Sequence, residues 1–407
     1  MSGPMSDVND LLAAFESGEL LRPSPDTPNI VDLASAVGGL VGASTAIRTP
    51  GGDALAGLIG PCDHLVLVMA DGLGMSAVRA MDPDSFIPRH VAAELLTVFP
   101  SSTPVVLASL ATGRWPAQHG LPSWHVYLEE IDAVSTIIKY VRRSDDKDLS
   151  ELGMDPGDAY TVPSMMESPR WDPASYLPKS LVGSAFSTYT SGRSPHHGYE
   201  KLGDAVGAIS DRVKRASSNT ISHLYIPDVD YASHSAGTSS PMAQGAAAGV
   251  DRALAWLANA LPSGAKIVMT ADHGLVDYAK SDVYSIDPSD PLMAYVDHEP
   301  WGTGRTMSFA CKRGAEADFE VLFRERFREG FYLLTVDELK ELSLYGPGPL
   351  SPVMERRVGT HMAVSMGAWL LDYDYPKVQY EAQDEHEAVS QHGGLTPAEM
   401  LVPMVVA

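Results

Sequence analysis

His64-Leu65-Val66-Leu67-Val68-Met69-Ala70 is an apolar run that breaks off at Asp71-Gly72. A strand with one wet face alternates apolar and polar residues, whereas a strand covered on both faces does not. The run therefore predicts a buried strand of a parallel or mixed sheet, with a carboxylate at its carboxyl end. Two later stretches repeat the pattern. Ser222-His-Leu-Tyr-Ile226 stops just before Pro227-Asp228-Val229-Asp230, and Lys266-Ile-Val-Met-Thr-Ala271 stops at Asp272-His273-Gly274. Between them, Met242 to Leu261 is rich in Ala, Leu and Trp and predicts a helix. Strands alternating with helices predict an α/β sandwich: a central, mostly parallel sheet with helices on both faces. Ligands of such sheets bind beyond the carboxyl ends of the strands, the edge to which all three runs carry acidic residues or histidine.

The remaining composition fits a globular chain. Of 407 residues, 44% are apolar and 20% charged, enough for a sizeable core. Lys and Arg number 29 against 52 Asp and Glu, a formal charge of −23 that repels nucleic acid and anionic membranes. An anionic substrate would have to be drawn in locally, and bound cations reverse the sign of the field in a site. Cys62 and Cys311 are too few and too far apart for a disulfide framework or a thiolate zinc site. The N-terminal residues lack the basic and apolar regions of a signal peptide, and no stretch is long enough to span a bilayer. These features predict a cytoplasmic protein acting on a small molecule, with no nucleic-acid polymer and no membrane as partner; they leave the oligomeric state open.

Two stretches differ from the rest. Residues 121–193 mix Ser, Pro, Asp and aromatics, and residues 276–358 are rich in Pro, Gly and charge. Both read as cap insertions in a single domain over 1–407, with core segments at about 60–120, 194–275 and 359–407.

Candidate metal ligands gather at the strand ends. Asp230-Tyr-Ala-Ser-His234 sets a carboxylate and an imidazole four apart, on one face of a helical turn. Asp272 and His273 are adjacent and can share a pocket on a tight turn. His392 precedes Gly393-Gly394, a permissive backbone. With Asp71 the inventory is three Asp and three His, a mixed set suited to zinc or manganese rather than to calcium or magnesium.

Phe99-Pro100-Ser101-Ser102-Thr103-Pro104 precedes Val105-Val-Leu-Ala-Ser-Leu-Ala111 and Thr112-Gly113. A hydroxyl residue before proline starts a helix, and glycine ends one. Thr103 is thus expected at a helix N-terminus, where N–H groups and the dipole favour an anion. Thr103 is then either a helix cap or a nucleophile.

As a set, these residues resemble the alkaline phosphatase superfamily, and most closely its type I phosphodiesterase/nucleotide pyrophosphatase branch. The resemblance lies in Val68-Met-Ala-Asp-Gly72, Phe99 to Gly113, Asp230 to Gly237, Thr270-Ala-Asp-His-Gly274 and His392-Gly-Gly-Leu-Thr-Pro-Ala-Glu-Met-Leu-Val-Pro403, in that order. It implies an alkaline-phosphatase-like fold and two divalent ions, zinc or else manganese. Asp230, His234 and His392 would hold one ion; Asp71, Thr103, Asp272 and His273 would hold the other. His361 is a weaker ligand candidate than His392. Thr103 would be the nucleophile, giving a covalent phospho-threonine during cleavage of phosphodiesters or nucleotide pyrophosphate bonds. Val106 departs from the pattern, since that branch usually has asparagine three residues after the nucleophile. Trp124-His125-Val126-Tyr127 is a candidate lining for the leaving-group side. The alternatives are a phosphomonoesterase or phosphonate hydrolase of the same superfamily, or a non-catalytic metal- or phosphate-binding protein on the same scaffold.

Overall fold

Seven strands form the central sheet of the computed structural model, which describes residues 7–375 and 388–407. From one edge to the other they run Val91–Leu96, Leu401–Val406, Ala265–Thr270, His64–Ala70, Thr220–Ile226, Asp172–Pro178 and His196–Tyr199. The three strands expected from apolar runs lie side by side at the centre. His64–Ala70 pairs in parallel with Thr220–Ile226 on one side and Ala265–Thr270 on the other. Leu65 to Ala70 are all buried, which accounts for a run without alternation.

Only Leu401–Val406 runs against its neighbours, pairing antiparallel with both Val91–Leu96 and Ala265–Thr270. That reversal matters for the site. A strand running the other way starts at the edge where the parallel strands end, so the loop leading into it, including His392, arrives at the edge that receives Asp71, Asp230 and Asp272.

Helices cover both faces. Ile30–Leu40, Thr103–Thr112 and Ala185–Ser191 pack on one side; Leu202–Arg215 and Pro241–Ala260 pack together on the other. Leu67, His223 and Tyr225 share a small apolar cavity with Leu107 and Leu110, so the Thr103 helix lies directly on the sheet. Among the described residues, no helix is long and apolar enough to cross a membrane.

Two expected boundaries change. Asp172–Pro178, inside the stretch read as insertion 121–193, is a strand of the main sheet and pairs in parallel with Thr220–Ile226. Its sequence, Asp-Pro-Ala-Ser-Tyr-Leu-Pro, carries prolines that argue against an inner strand from sequence alone; they sit near its two ends. Conversely His361–Ser365, expected in the core segment 359–407, lies between Thr306–Phe309 and Phe331–Thr335 in a separate four-stranded sheet. Phe319, Phe323 and Phe327 on helix Glu316–Phe327 belong to the apolar core of that second layer.

Leu224 is fully buried in the central core. Leu224→Ala should lower unfolding free energy by about 2–5 kcal/mol, because the cavity it leaves cannot fully collapse. Thermal or urea unfolding measures this; a loss well under 1 kcal/mol would contradict the packing described.

Candidate active site

Each candidate side chain reaches the carboxyl edge by a short route. Asp71 follows His64–Ala70 directly, and Gly72 then turns the chain with φ +73°. A Cβ at Gly72 would lie 2.7 Å from Asp230 Cα, so only glycine allows the two strand ends to approach. Asp230 N–H donates to the Asp71 carbonyl at 3.1 Å, joining those ends. Asp230 and His234 lie on helix Asp228–Ala236, and their spacing of one turn brings His234 Nε2 to 3.2 Å from Asp230 Oδ1. The turn after Ala265–Thr270 gives Asp272 and His273, whose Nε2 lies 3.4 Å from Asp272 Oδ2 and 3.7 Å from Asp71 Oδ1.

Six of the seven expected residues thus come together as two adjoining groups. Potential ligand atoms of Asp230, His234 and His392 lie within 4.8 Å of one another, as do those of Asp71, Asp272 and His273. The His273 and His392 rings stack at 3.6 Å between centroids, so the groups share a border.

All three imidazoles are oriented alike. Nδ1 of His234 faces the Ser390 carbonyl at 2.8 Å, that of His273 the Gly274 carbonyl at 3.2 Å, and that of His392 the Ser101 carbonyl at 2.9 Å. A carbonyl accepts only, so each Nδ1 must carry the proton and each neutral ring keeps its lone pair on Nε2. Histidines held through the other nitrogen in this way are pre-set as metal ligands.

The carboxylates are built to the same end. Asp71 Oδ2 accepts from the Tyr225 hydroxyl, and Asp272 Oδ1 accepts the N–H groups of Gly72 at 3.1 Å and His273 at 3.0 Å. Asp71 Oδ1, Asp230 Oδ1 and Asp272 Oδ2 are buried without a hydrogen-bond partner. Burial, then the charges of Asp272 and Asp230, push the Asp71 carboxyl well above the usual range. Burial acts upward on Asp230 too, but His234 outweighs it and holds that carboxyl at about 2. His392 is pushed well down by burial and by neighbouring His273, so it stays neutral. Buried anionic oxygens without donors, facing imidazole lone pairs, suit bound divalent cations.

Thr103 completes the arrangement. The helix begins one residue earlier than expected: Val106 N–H bonds the Ser102 carbonyl at 3.0 Å, making Ser102 the cap and Thr103 the first helical residue. The Thr103 side chain is therefore not used in capping. Its Oγ1 lies 3.2 Å from His273 Nε2.

His361 stays apart, with Nδ1 against Thr360 Oγ1 and Cys311 Sγ and Nε2 against Glu320. Tyr127 stacks on His298 at 3.7 Å, linking the stretches 121–193 and 276–358. Neither Tyr225 nor Ser101 stands out in the sequence. A tyrosine within a buried strand looks like core, and Ser101 looks like a mere neighbour of the threonine; the signal for Tyr225 is that its strand ends at the acidic edge.

A family model described as type I phosphodiesterase/nucleotide pyrophosphatase matches residues 65–313. The chain belongs to this family. It is accordingly a phosphoric ester hydrolase of the phosphodiesterase/nucleotide pyrophosphatase type. Among solved structures, murine ectonucleotide pyrophosphatase/phosphodiesterase 5 is similar at 17% identity and a TM-score of 0.61, over 84% of this chain and 87% of that one. The human counterpart gives 15% and 0.58 over 84% and 87%. Phosphonoacetate hydrolase from Sinorhizobium meliloti 1021, solved with phosphonoformate, gives 19% and 0.60 over 86% and 90%. No curated protein matches the sequence. The family match carries the enzyme class, while the solved structures, at these identities, share the alkaline-phosphatase-like fold.

In the metal-free protein, Asp71 and His234 both hold a proton more tightly than usual. For Asp71 burial is the first cause and the charges of Asp272 and Asp230 the next; for His234 burial opposes the rise and the adjacent Asp230 carboxylate overcomes it. A cation must displace those protons, so zinc affinity should rise as the pH climbs through and above the ordinary imidazole range. Calorimetric titration in buffers of different ionisation enthalpy should record proton release; pH-independent affinity without release would contradict the assignment.

Proposed function

We propose that this enzyme cleaves phosphodiesters or nucleotide pyrophosphate bonds through a covalent phospho-threonine on Thr103. The observation that carries this reading is the contact of Thr103 Oγ1 with His273 Nε2 at 3.2 Å, which sets the hydroxyl against the ligand groups. Asp230, His234 and His392 would hold one divalent ion, and Asp71, Thr103, Asp272 and His273 the other, with zinc favoured by the donor set and manganese the alternative. Such ions, when bound, activate a hydroxyl and neutralise charge at phosphorus and on the leaving oxygen.

The chain's own part follows from its geometry. Thr103 Oγ1 attacks phosphorus, its bond to phosphorus forms as the bond to the leaving oxygen breaks, and a proton goes to that oxygen. Water then attacks the phospho-threonine, the Thr103 Oγ1–phosphorus bond breaks, and Oγ1 regains its proton. Among the described residues none accepts from the backbone N–H of Thr103, so this donor and the helix dipole are free to face a phosphoryl oxygen. The three protonated Nδ1 atoms keep the imidazoles from rotating during both steps.

The same reading gives the part of 121–193 that precedes the main-sheet strand Asp172–Pro178, together with 276–358, a capping role within a single domain over 1–407, supported by the Tyr127–His298 stack between them. It draws further support from murine ectonucleotide pyrophosphatase/phosphodiesterase 5, whose inactive threonine-to-alanine form was solved with AMP. The cytoplasm as its compartment belongs to the proposal, supported by the unpaired Cys62 and Cys311.

Thr103→Ala should lower turnover of bis(p-nitrophenyl) phosphate by several orders of magnitude while zinc content stays near that of the wild type. Near-normal turnover in the variant would remove the nucleophile assignment. Wild-type enzyme that prefers p-nitrophenyl phosphate or phosphonoacetate to the diester would replace the diesterase reading with the corresponding alternative.

A further inference from the structure

Arg305 and Glu399 form an ion pair in which both side chains are fully buried. Arg305 Nε and Nη2 donate to the two carboxylate oxygens at 2.9 Å each, a forked, charge-assisted contact. Its Nη1 donates to Ser365 Oγ and the Trp369 carbonyl, both at 2.8 Å, so the guanidinium is anchored in the second layer. Neither residue touches the seven site residues through its side chain.

The far side of Glu399 leads to the site. Its Oε1 accepts Gly394 N–H at 2.8 Å, and its Oε2 accepts the Thr396 hydroxyl at 2.7 Å. A Cβ on Gly394 would come within 2.8 Å of Glu399 Oε2, so the loop meets the carboxylate through bare backbone. The Gly394 carbonyl accepts Ser101 Oγ at 2.8 Å; Ser101 in turn receives Gly393 N–H on its hydroxyl at 3.2 Å and His392 Nδ1–H on its carbonyl at 2.9 Å. The Glu399 backbone carbonyl accepts Gly274 N–H at 3.0 Å, one residue after His273.

We propose that Arg305 and Glu399 are positioning residues for the metal centre, fixing His392 through the loop His392–Thr396. The inference rests on the two-metal reading above. A buried ion pair contributes little net stability compared with well-packed apolar side chains of similar size, so stability alone is a poor reason for it. What the carboxylate supplies is a set of acceptors. Gly393 and Gly394 have no side chains to anchor them, and Glu399 and Ser101 hold their backbone instead. Arg305 keeps Glu399 ionised and aimed at that backbone, which ties the segment 276–358 to the site as a brace as well as a cap.

The double variant Arg305→Met/Glu399→Leu leaves no uncompensated charge, so it should fold, as thermal unfolding will record. Titration of metal-stripped protein with zinc should show one of the two sites weakened about 10–100-fold, the effect expected when support behind a ligand is lost. Arg305→Lys, which keeps the charge and loses the fork, should weaken the same site by a smaller factor and serves if the double variant does not fold. Folded variants that bind both ions with wild-type affinity would overturn the positioning role and leave the two-metal reading intact. A wild-type chain that binds no zinc would overturn both.

Discussion

Two buried carboxylates, Asp71 and Asp272, and the half-buried Asp230 meet at one edge of a sheet, and each keeps one buried oxygen that accepts no hydrogen bond. Burial first, and then repulsion from the like charges of Asp272 and Asp230, push the Asp71 carboxyl well above its usual range. Tyr225 and two backbone N–H groups offset part of the cost, on the oxygens that face away from the site. The remaining oxygens call for cations. A chain of charge −23 would gain a second advantage from them, because bound ions would turn one part of its surface attractive to a phosphate ester.

The fold exists around this convergence. Parallel strands bring separate segments to a common edge, and the single reversed strand adds His392 from the other direction. Gly72 lets Asp71 and Asp230 approach, and helix Asp228–Ala236 supplies the spacing from Asp230 to His234. The Thr103 helix lies on the same sheet, so its N-terminus reaches the same edge. Because Ser102 caps that helix, the threonine hydroxyl remains available. The second layer, through Arg305, then stiffens the loop least able to hold itself.

Much of this is legible before any coordinates. Apolar runs that break off at Asp71, Asp230 and Asp272-His273 reveal the central strands and the functional edge together, because double-sided burial and ligand delivery leave different marks on adjacent residues. The four-residue step from Asp230 to His234 is equally direct. What escapes notice is of another kind. Asp172–Pro178 is a main-sheet strand bracketed by prolines, and His361–Ser365 looks like core but joins the second sheet. Tyr225 resembles ordinary core packing. Arg305 and Glu399 lie 94 residues apart, and nothing local announces that they touch. Single-residue shifts such as Ser102 for Thr103 as the cap depend on which carbonyl accepts the first helical bond, a matter of geometry and not of residue type.

The central claim is that two cations occupy the space between Asp71, Asp230, Asp272 and the three histidines. Anomalous diffraction from crystals of zinc-loaded protein tests it most directly. Two peaks about 4 Å apart, one beside Asp230, His234 and His392 and the other beside Asp71, Asp272 and His273, are expected. Zinc bound only elsewhere on the surface, with this edge containing water alone, would contradict the account.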